Sequence, residues 1–167
     1  LAMKWLPVAV KDPSNKEARE KMSLAANLGG MAITASGCSI GHSFAQTFGA
    51  VNHIPHGLGC AWGLPGVMVY SAKYGNRSDL EIVADALGVT YTDATDTMEL
   101  ANEMAQIFVD FMRDIKIKSI KSLGYSLEDC LAVTDRFFHD GAFANSPGTP
   151  GVPEIQEFIK YTYHIYQ

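Results

Sequence analysis

Helix start signals recur along the whole chain of 167 residues, and they constrain its fold more than any other feature. In a capping box, a serine and an acidic residue three positions later satisfy each other's free backbone N–H groups. Such pairs stand at Ser14–Glu17, Ser78–Glu81 and Ser126–Asp129, and Asp96 precedes a long run with apolar residues at helical spacing. Because no segment shows the apolar alternation of a strand, the pattern predicts an all-α fold.

These signals divide the chain into about seven helices, separated by short breaks rich in Gly, Pro, Asn and Ser. The expected helices cover residues 18–34, 41–48, 58–71, 78–88, 96–115, 126–139 and 153–166. No linker-like stretch separates them, so we expect residues 1–167 to form a single helical domain of bundle-like architecture. The sequence contains no G-x-G-x-x-G motif and therefore predicts no dinucleotide-binding unit of its own.

Composition excludes several classes of partner. The formal net charge is -5 and no basic patch stands out, which argues against nucleic acid or an anionic membrane. No apolar run approaches the roughly 20 residues of a membrane span, and the short apolar start, Leu1–Pro7, lacks the features of a signal peptide. Three widely spaced cysteines predict no disulfide framework. We therefore expect a cytoplasmic protein.

Histidines cluster in one short segment. Three of the five, His42, His53 and His56, fall between positions 41 and 57. Neutral imidazole is a common ligand for divalent iron, nickel, copper and zinc. His42 is expected on one helix and His56 at the start of the next, so the two rings can converge if the intervening loop folds back. Spacing alone leaves capping or core histidines as the alternative.

The residues around these histidines carry a more specific signal. From Gly41 to Ala61 the sequence reads G-H-x-x-A-x-x-x-G-A-x-x-x-I-P-H-G-L-G-x-A. This pattern closely resembles the fingerprint of the iron-containing (group III) alcohol dehydrogenases. The resemblance extends to Glu17–Gly30, to Leu64–Val69 and, more weakly, as far as Asn145, and so covers nearly the whole chain. It implies the dehydroquinate-synthase-like helical domain of a two-domain enzyme, without the N-terminal α/β nucleotide-binding domain.

The resemblance also implies a metal site. In that family one aspartate and three histidines hold the metal, and the last two histidines match His42 and His56. The other two ligands form an Asp-x-x-x-His pair on an earlier helix, which we expect to precede Leu1, so this chain would hold half of the site. Asp135 and His139 have the same spacing. They follow the motif instead of preceding it, and we expect them to form a solvated helix end.

Two positions depart from the family pattern. Gln46 stands where the family usually has a histidine near the reacting groups, and a glutamine can hydrogen-bond but cannot shuttle a proton near neutral pH. Gly66 stands where the family often has a further histidine. His53 is a candidate substrate-side or proton-relay residue, with a helix cap or pocket wall as the alternative. Cys60 is expected to be buried and inert. Aromatic residues near this segment are expected to be core more often than pocket lining: Phe44, Phe48 and Trp62.

The activity implied by the resemblance is reversible oxidation of an alcohol to an aldehyde or ketone, with hydride transfer to NAD or NADP. The metal would be iron, with zinc as an alternative, and the missing domain would bind most of the cofactor. We expect the isolated chain to be inactive, and the parent to be a homo-oligomer that takes a small alcohol or aldehyde. Two alternatives stay open: a zinc-dependent glycerol-dehydrogenase-like or dehydroquinate-synthase-like enzyme, and a catalytically inactive homologue or binding module.

Overall fold

A computed structural model describes all residues from Leu1 to Gln167 and contains helices and turns but no strand, which confirms the predicted all-α fold. Short 3₁₀ turns at Lys121–Leu123, Thr134–His139 and Phe143–Asn145 connect the last three helices. No helix combines the length and the apolar character needed to cross a membrane. The eight α-helices are α1 (Ala2–Lys11), α2 (Lys16–Ser36), α3 (Ile40–Asn52), α4 (His56–Tyr74), α5 (Arg77–Leu87), α6 (Thr97–Asp114), α7 (Leu127–Leu131) and α8 (Val152–Ile165).

The eight helices agree with the expected number of about seven, but the structure differs from the expected boundaries at two places. Helix α1 was not predicted, and it forms despite Pro7 in its interior. A proline there removes one backbone hydrogen bond, and packing of α1 against α2 compensates for the loss. The helix expected over residues 126–139 is instead the short α7 followed by a 3₁₀ turn. At that break the hydroxyl of Thr134 donates to the carbonyl oxygen of Leu131 at 2.6 Å and competes with the regular helical bond.

Two of the predicted helix caps are confirmed and two are wrong. Asp96 accepts hydrogen bonds from two backbone N–H groups at the start of α6, and Ser126 forms a complete capping box with Asp129. Ser14 does not cap α2, because its hydroxyl donates to Asp12 while the neighbouring Asn15 accepts from the first turn. Ser78 lies inside α5, which begins one residue earlier, at Arg77.

Helix α4 is the element around which the others pack, since α3, α5, α6 and α8 all contact it. One apolar core joins α3, α4 and α8 with α7 and the 3₁₀ turn Thr134–His139. A smaller core joins α4 to α5 and α6. The three aromatics flagged in the sequence belong to the first core and are at most 2% exposed: Phe44, Phe48 and Trp62. Their interpretation as core residues is therefore confirmed, and they hold α3 firmly against α4.

Helix α2 contributes little to these cores, because it packs mainly on α1. Four of its large apolar side chains are between 47% and 63% exposed: Leu24, Leu28, Met31 and Ile33. The histidine segment, by contrast, lies on α3 and α4, which pack extensively against each other.

Candidate metal centre

Small residues allow α3 and α4 to approach each other closely beside the histidines. A Cβ atom added at Gly59 would lie 2.9 Å from Cα of Ala45. A Cβ added at Gly63 would lie 3.0 Å from the carbonyl oxygen of Gly41. Both distances are shorter than normal contact, so only glycine fits at either position without moving a backbone. This close crossing sets the separation of side chains that α3 and α4 present to each other.

The two predicted ligands come together at this crossing. His42 lies in the first turn of α3 and is half-buried, whereas His56 is the first residue of α4 and is exposed. Their Nε2 atoms are 2.9 Å apart, and the ring planes make an angle of 64°. One ring donates and the other accepts, depending on the tautomers. The loop between α3 and α4 therefore folds back as the sequence argument required.

The electrostatic setting keeps His42 neutral near neutral pH. Burial lowers the pKa of His42 below its ordinary value of 6.5, the nearby His56 lowers it further, and Asp140 opposes the shift. A second positive charge 2.9 Å away would repel the first, so the two rings are not readily both in the charged imidazolium form. A neutral imidazole retains the lone pair that a metal ion needs.

A third donor, Cys60, lies against both histidines. Its Sγ atom is 3.5 Å from Nε2 of His56 and 3.7 Å from Nδ1 of His42. The expectation that Cys60 is buried was wrong, because the side chain is only partly buried. The expectation that it is inert stays a prediction. The sequence feature that could have indicated this position is spacing. Cys60 follows His56 by four residues on one helix, and side chains at that spacing share a face. Burial, with a smaller contribution from Cys38, raises the pKa of the Cys60 thiol.

A carboxylate that the sequence argument missed supports the same end of α3. Asp140 accepts hydrogen bonds from the hydroxyl of Ser43 at 2.7 Å and from the backbone N–H of Ala142 at 3.0 Å. With its amide oriented to satisfy its neighbours, Gln46 also donates to both carboxylate oxygens of Asp140. No local pattern could have indicated this contact, since Ser43 and Asp140 are 97 residues apart. The exposed Gln46 is thus tethered one turn beyond His42.

The other flagged residues lie outside this cluster. His53 ends α3 in the left-handed conformation, with φ of 54°, and its exposed side chain makes no hydrogen bond. Its catalytic role stays a prediction. Asp135 and His139 are both exposed in the 3₁₀ turn before Asp140, as expected of a solvated helix end.

Gly66 has a packing role in this chain. A Cβ atom there would lie 2.8 Å from the ring of Phe158 and would also collide with the hydroxyl of Thr162, both on α8. The histidine that the family often has at this position therefore has no room here. On α4, only His56 and Cys60 belong to the cluster of possible donors around His42.

The donor set suits a divalent transition metal. Imidazole nitrogen binds iron, zinc, copper and nickel, and one ligand atom each from His42, His56 and Cys60 lies within 4.8 Å of the other two. Two nitrogens on one tetrahedral ion are about 3.3 Å apart. The observed 2.9 Å needs to widen by only a few tenths of an ångström, which a small rotation of either ring provides. The assignment of these residues as ligands stays a prediction.

Comparison with known proteins places the chain in a family. Residues 1–163 match the family described as Fe-containing alcohol dehydrogenase, C-terminal. The NADPH-dependent butanol dehydrogenase of Clostridium saccharobutylicum is 31% identical over 90% of this chain and 39% of its own length. The 1,3-propanediol dehydrogenase of Citrobacter freundii is 28% identical over 93% of this chain and 40% of its own length.

A solved structure shows the same fold. The alcohol dehydrogenase from Oenococcus oeni superposes with a TM-score of 0.85 and 26% identity, over 96% of this chain and 42% of that protein. The chain thus spans about two fifths of the length of these relatives. On the match to residues 1–163, the chain belongs to the Fe-containing alcohol dehydrogenase family, and it corresponds to that family's C-terminal domain.

Proposed function

We propose that this chain is the metal-binding part of an alcohol dehydrogenase that oxidises a small alcohol reversibly and passes hydride to NAD or NADP. The observation that carries the proposal is the approach of the His42 and His56 Nε2 atoms to 2.9 Å on two tightly packed helices. The names of the relatives, a butanol and a 1,3-propanediol dehydrogenase, support short-chain alcohols as substrates. One of these names also supports NADPH as the cofactor.

His42 and His56 would hold the ion, which by the family's description is iron. A divalent metal supplies Lewis acidity, which lowers the pKa of an alcohol and favours loss of its proton. His42 suits this task, because its lowered pKa leaves the ring neutral and able to bind. The close crossing of α3 and α4 holds the backbones of both histidines near each other before any ligand arrives.

Gln46 would have a positioning role and would not transfer protons. Its amide is tied to Asp140, and an amide has no ionisation near neutral pH. The substrate proton therefore leaves by a route that does not include this side chain. Asp140 would act as a positioning residue, because it holds Gln46 and Ser43 at the start of α3 and favours a positive charge at His42.

Metal retention and turnover in the parent enzyme test the proposal together. His56→Ala should remove both, since one of the two metal donors of the proposal is lost. His164→Ala is the matched control, because His164 is exposed on α8 and bonds only Gln167. The control should keep normal metal content and activity. Normal metal content and normal turnover in His56→Ala would refute the proposal.

The isolated chain offers a second test. It carries no dinucleotide-binding motif, so we expect no alcohol oxidation when the purified 167 residues are mixed with NAD or NADP. Measurable turnover by this chain alone would show that the cofactor binds here and not on another part of the enzyme.

A further inference from the structure

We infer that Cys60 is a third protein ligand of the proposed metal site, so that this chain presents a His–His–Cys donor set. The inference rests on the proposed metal-binding role of His42 and His56 and extends it to a residue to which the family match assigns no role. Its first support is distance. The Sγ atom of Cys60 lies 3.5 Å from Nε2 of His56, the same nitrogen that lies 2.9 Å from His42.

These separations match a shared ion. Typical bond lengths place a sulfur and a nitrogen about 3.6 Å apart when both bind one tetrahedral zinc. The 3.5 Å between Cys60 and His56 already has this value. His42 faces the thiol with Nδ1 at 3.7 Å, so a modest turn of its ring brings Nε2 and the sulfur to the same ion.

The scaffold supports the same conclusion. His56 and Cys60 are four residues apart on α4, the spacing by which a helix presents two ligands to one metal in other proteins. Gly59, next to Cys60, packs directly on Ala45 of α3, so the backbone that carries the thiol lies close against the helix that carries His42. The two imidazoles are the only hydrogen-bond partners of the thiol.

The chemistry of the step is simple. A bond forms from Sγ of Cys60 to the metal ion, the thiol proton passes to solvent, and nothing is oxidised or reduced. A thiolate is a soft donor that binds zinc well. With three ligands instead of two, the chain should bind zinc without help from residues outside it.

Cobalt substitution of the 167-residue chain tests this inference. Co²⁺ bound through a thiolate shows an intense sulfur-to-cobalt charge-transfer band in the near ultraviolet, which imidazole ligands alone do not produce. We expect this band in the original chain and in Cys38→Ser, the control for a neighbouring free thiol. We expect it to vanish in Cys60→Ser, whose zinc affinity should fall by more than the roughly 100-fold limit for losing a group that only hydrogen-bonds a ligand.

Each outcome decides the question. Visible cobalt bands that depend on His56 but lack the charge-transfer band would overturn the role of Cys60 and leave the proposed function standing. A drop of about 100-fold or less in Cys60→Ser, without a change in the spectrum, would reduce Cys60 to a hydrogen-bond partner of His42. Failure of the chain to bind cobalt or zinc at all would overturn the inference. In that case metal analysis of the parent enzyme decides separately whether the proposed function survives.

Discussion

Replacing Gly59 by alanine should separate the two helices that carry the metal donors. The new Cβ would lie 2.9 Å from Cα and 3.0 Å from Cβ of Ala45, whereas ordinary contact begins at 3.4 Å. Because neither atom of Ala45 can rotate away, α3 and α4 have to move apart by about 0.5 Å. Overpacking of this kind costs about 1–3 kcal/mol, and the better helix propensity of alanine returns up to about 1 kcal/mol. With the middle of the overpacking range, about 2 kcal/mol, the net loss should be roughly 1–2 kcal/mol.

Thermal unfolding followed by circular dichroism measures this loss. For a chain of this size, 1–2 kcal/mol corresponds to a decrease in Tm of about 2–8 °C. Gly57→Ala is the matched control on the same helix, because a Cβ there would meet nothing within 4 Å. The control should melt at or slightly above the original temperature. If Gly59→Ala melts as high as Gly57→Ala, the close crossing of α3 and α4 is not what positions the site.

Three further predictions concern the surroundings of the histidines. Ser43→Ala removes a buried hydroxyl that donates to Asp140, and urea denaturation should show a loss of about 1–3 kcal/mol; an unchanged midpoint would contradict the role of this contact. Gln46→His should lose about 1 kcal/mol or less, since the position is exposed and only hydrogen bonds to Asp140 change. Gly66→His should lower the yield of folded protein, and equal stability of the two variants would be inconsistent with the packing of Gly66 on α8. The folded-state pKa of His42 lies below its ordinary 6.5, so the metal-free chain should be most stable above that pH and lose stability as the pH falls through the folded-state pKa. His42→Gln should flatten this part of the stability–pH curve. An unchanged slope would disprove the assignment of this pH dependence to His42.

The sequence predicted the fold well where its signals are local. Asp96 and the Ser126–Asp129 pair start helices as expected, because a cap needs only residues within one turn. The prediction that Ser14 caps a helix was wrong because its neighbours compete at the same short range. The adjacent Asn15 offers an equally good cap, and the serine hydroxyl donates to Asp12 instead. Helix α1 was missed because its stability comes from packing on α2, which no pattern within residues 2–11 reveals.

The site was predictable to the extent that its residues lie on neighbouring helices. His42 and His56 were found through one continuous motif, and Cys60 could have been found from its four-residue spacing after His56. Asp140 could not, because its contact with Ser43 depends on how the final turns of the chain fold back over α3. The collision that excludes a side chain at Gly66 likewise depends on α8, almost a hundred residues later.

The most direct test of the metal site is an anomalous-diffraction map of the protein crystallised with the divalent metal that it retains. We predict a single strong peak between α3 and α4, within about 2.0–2.3 Å of Nε2 of both His42 and His56. A map with no peak at this position, or with a peak that contacts only one of the two rings, would contradict the proposed metal centre.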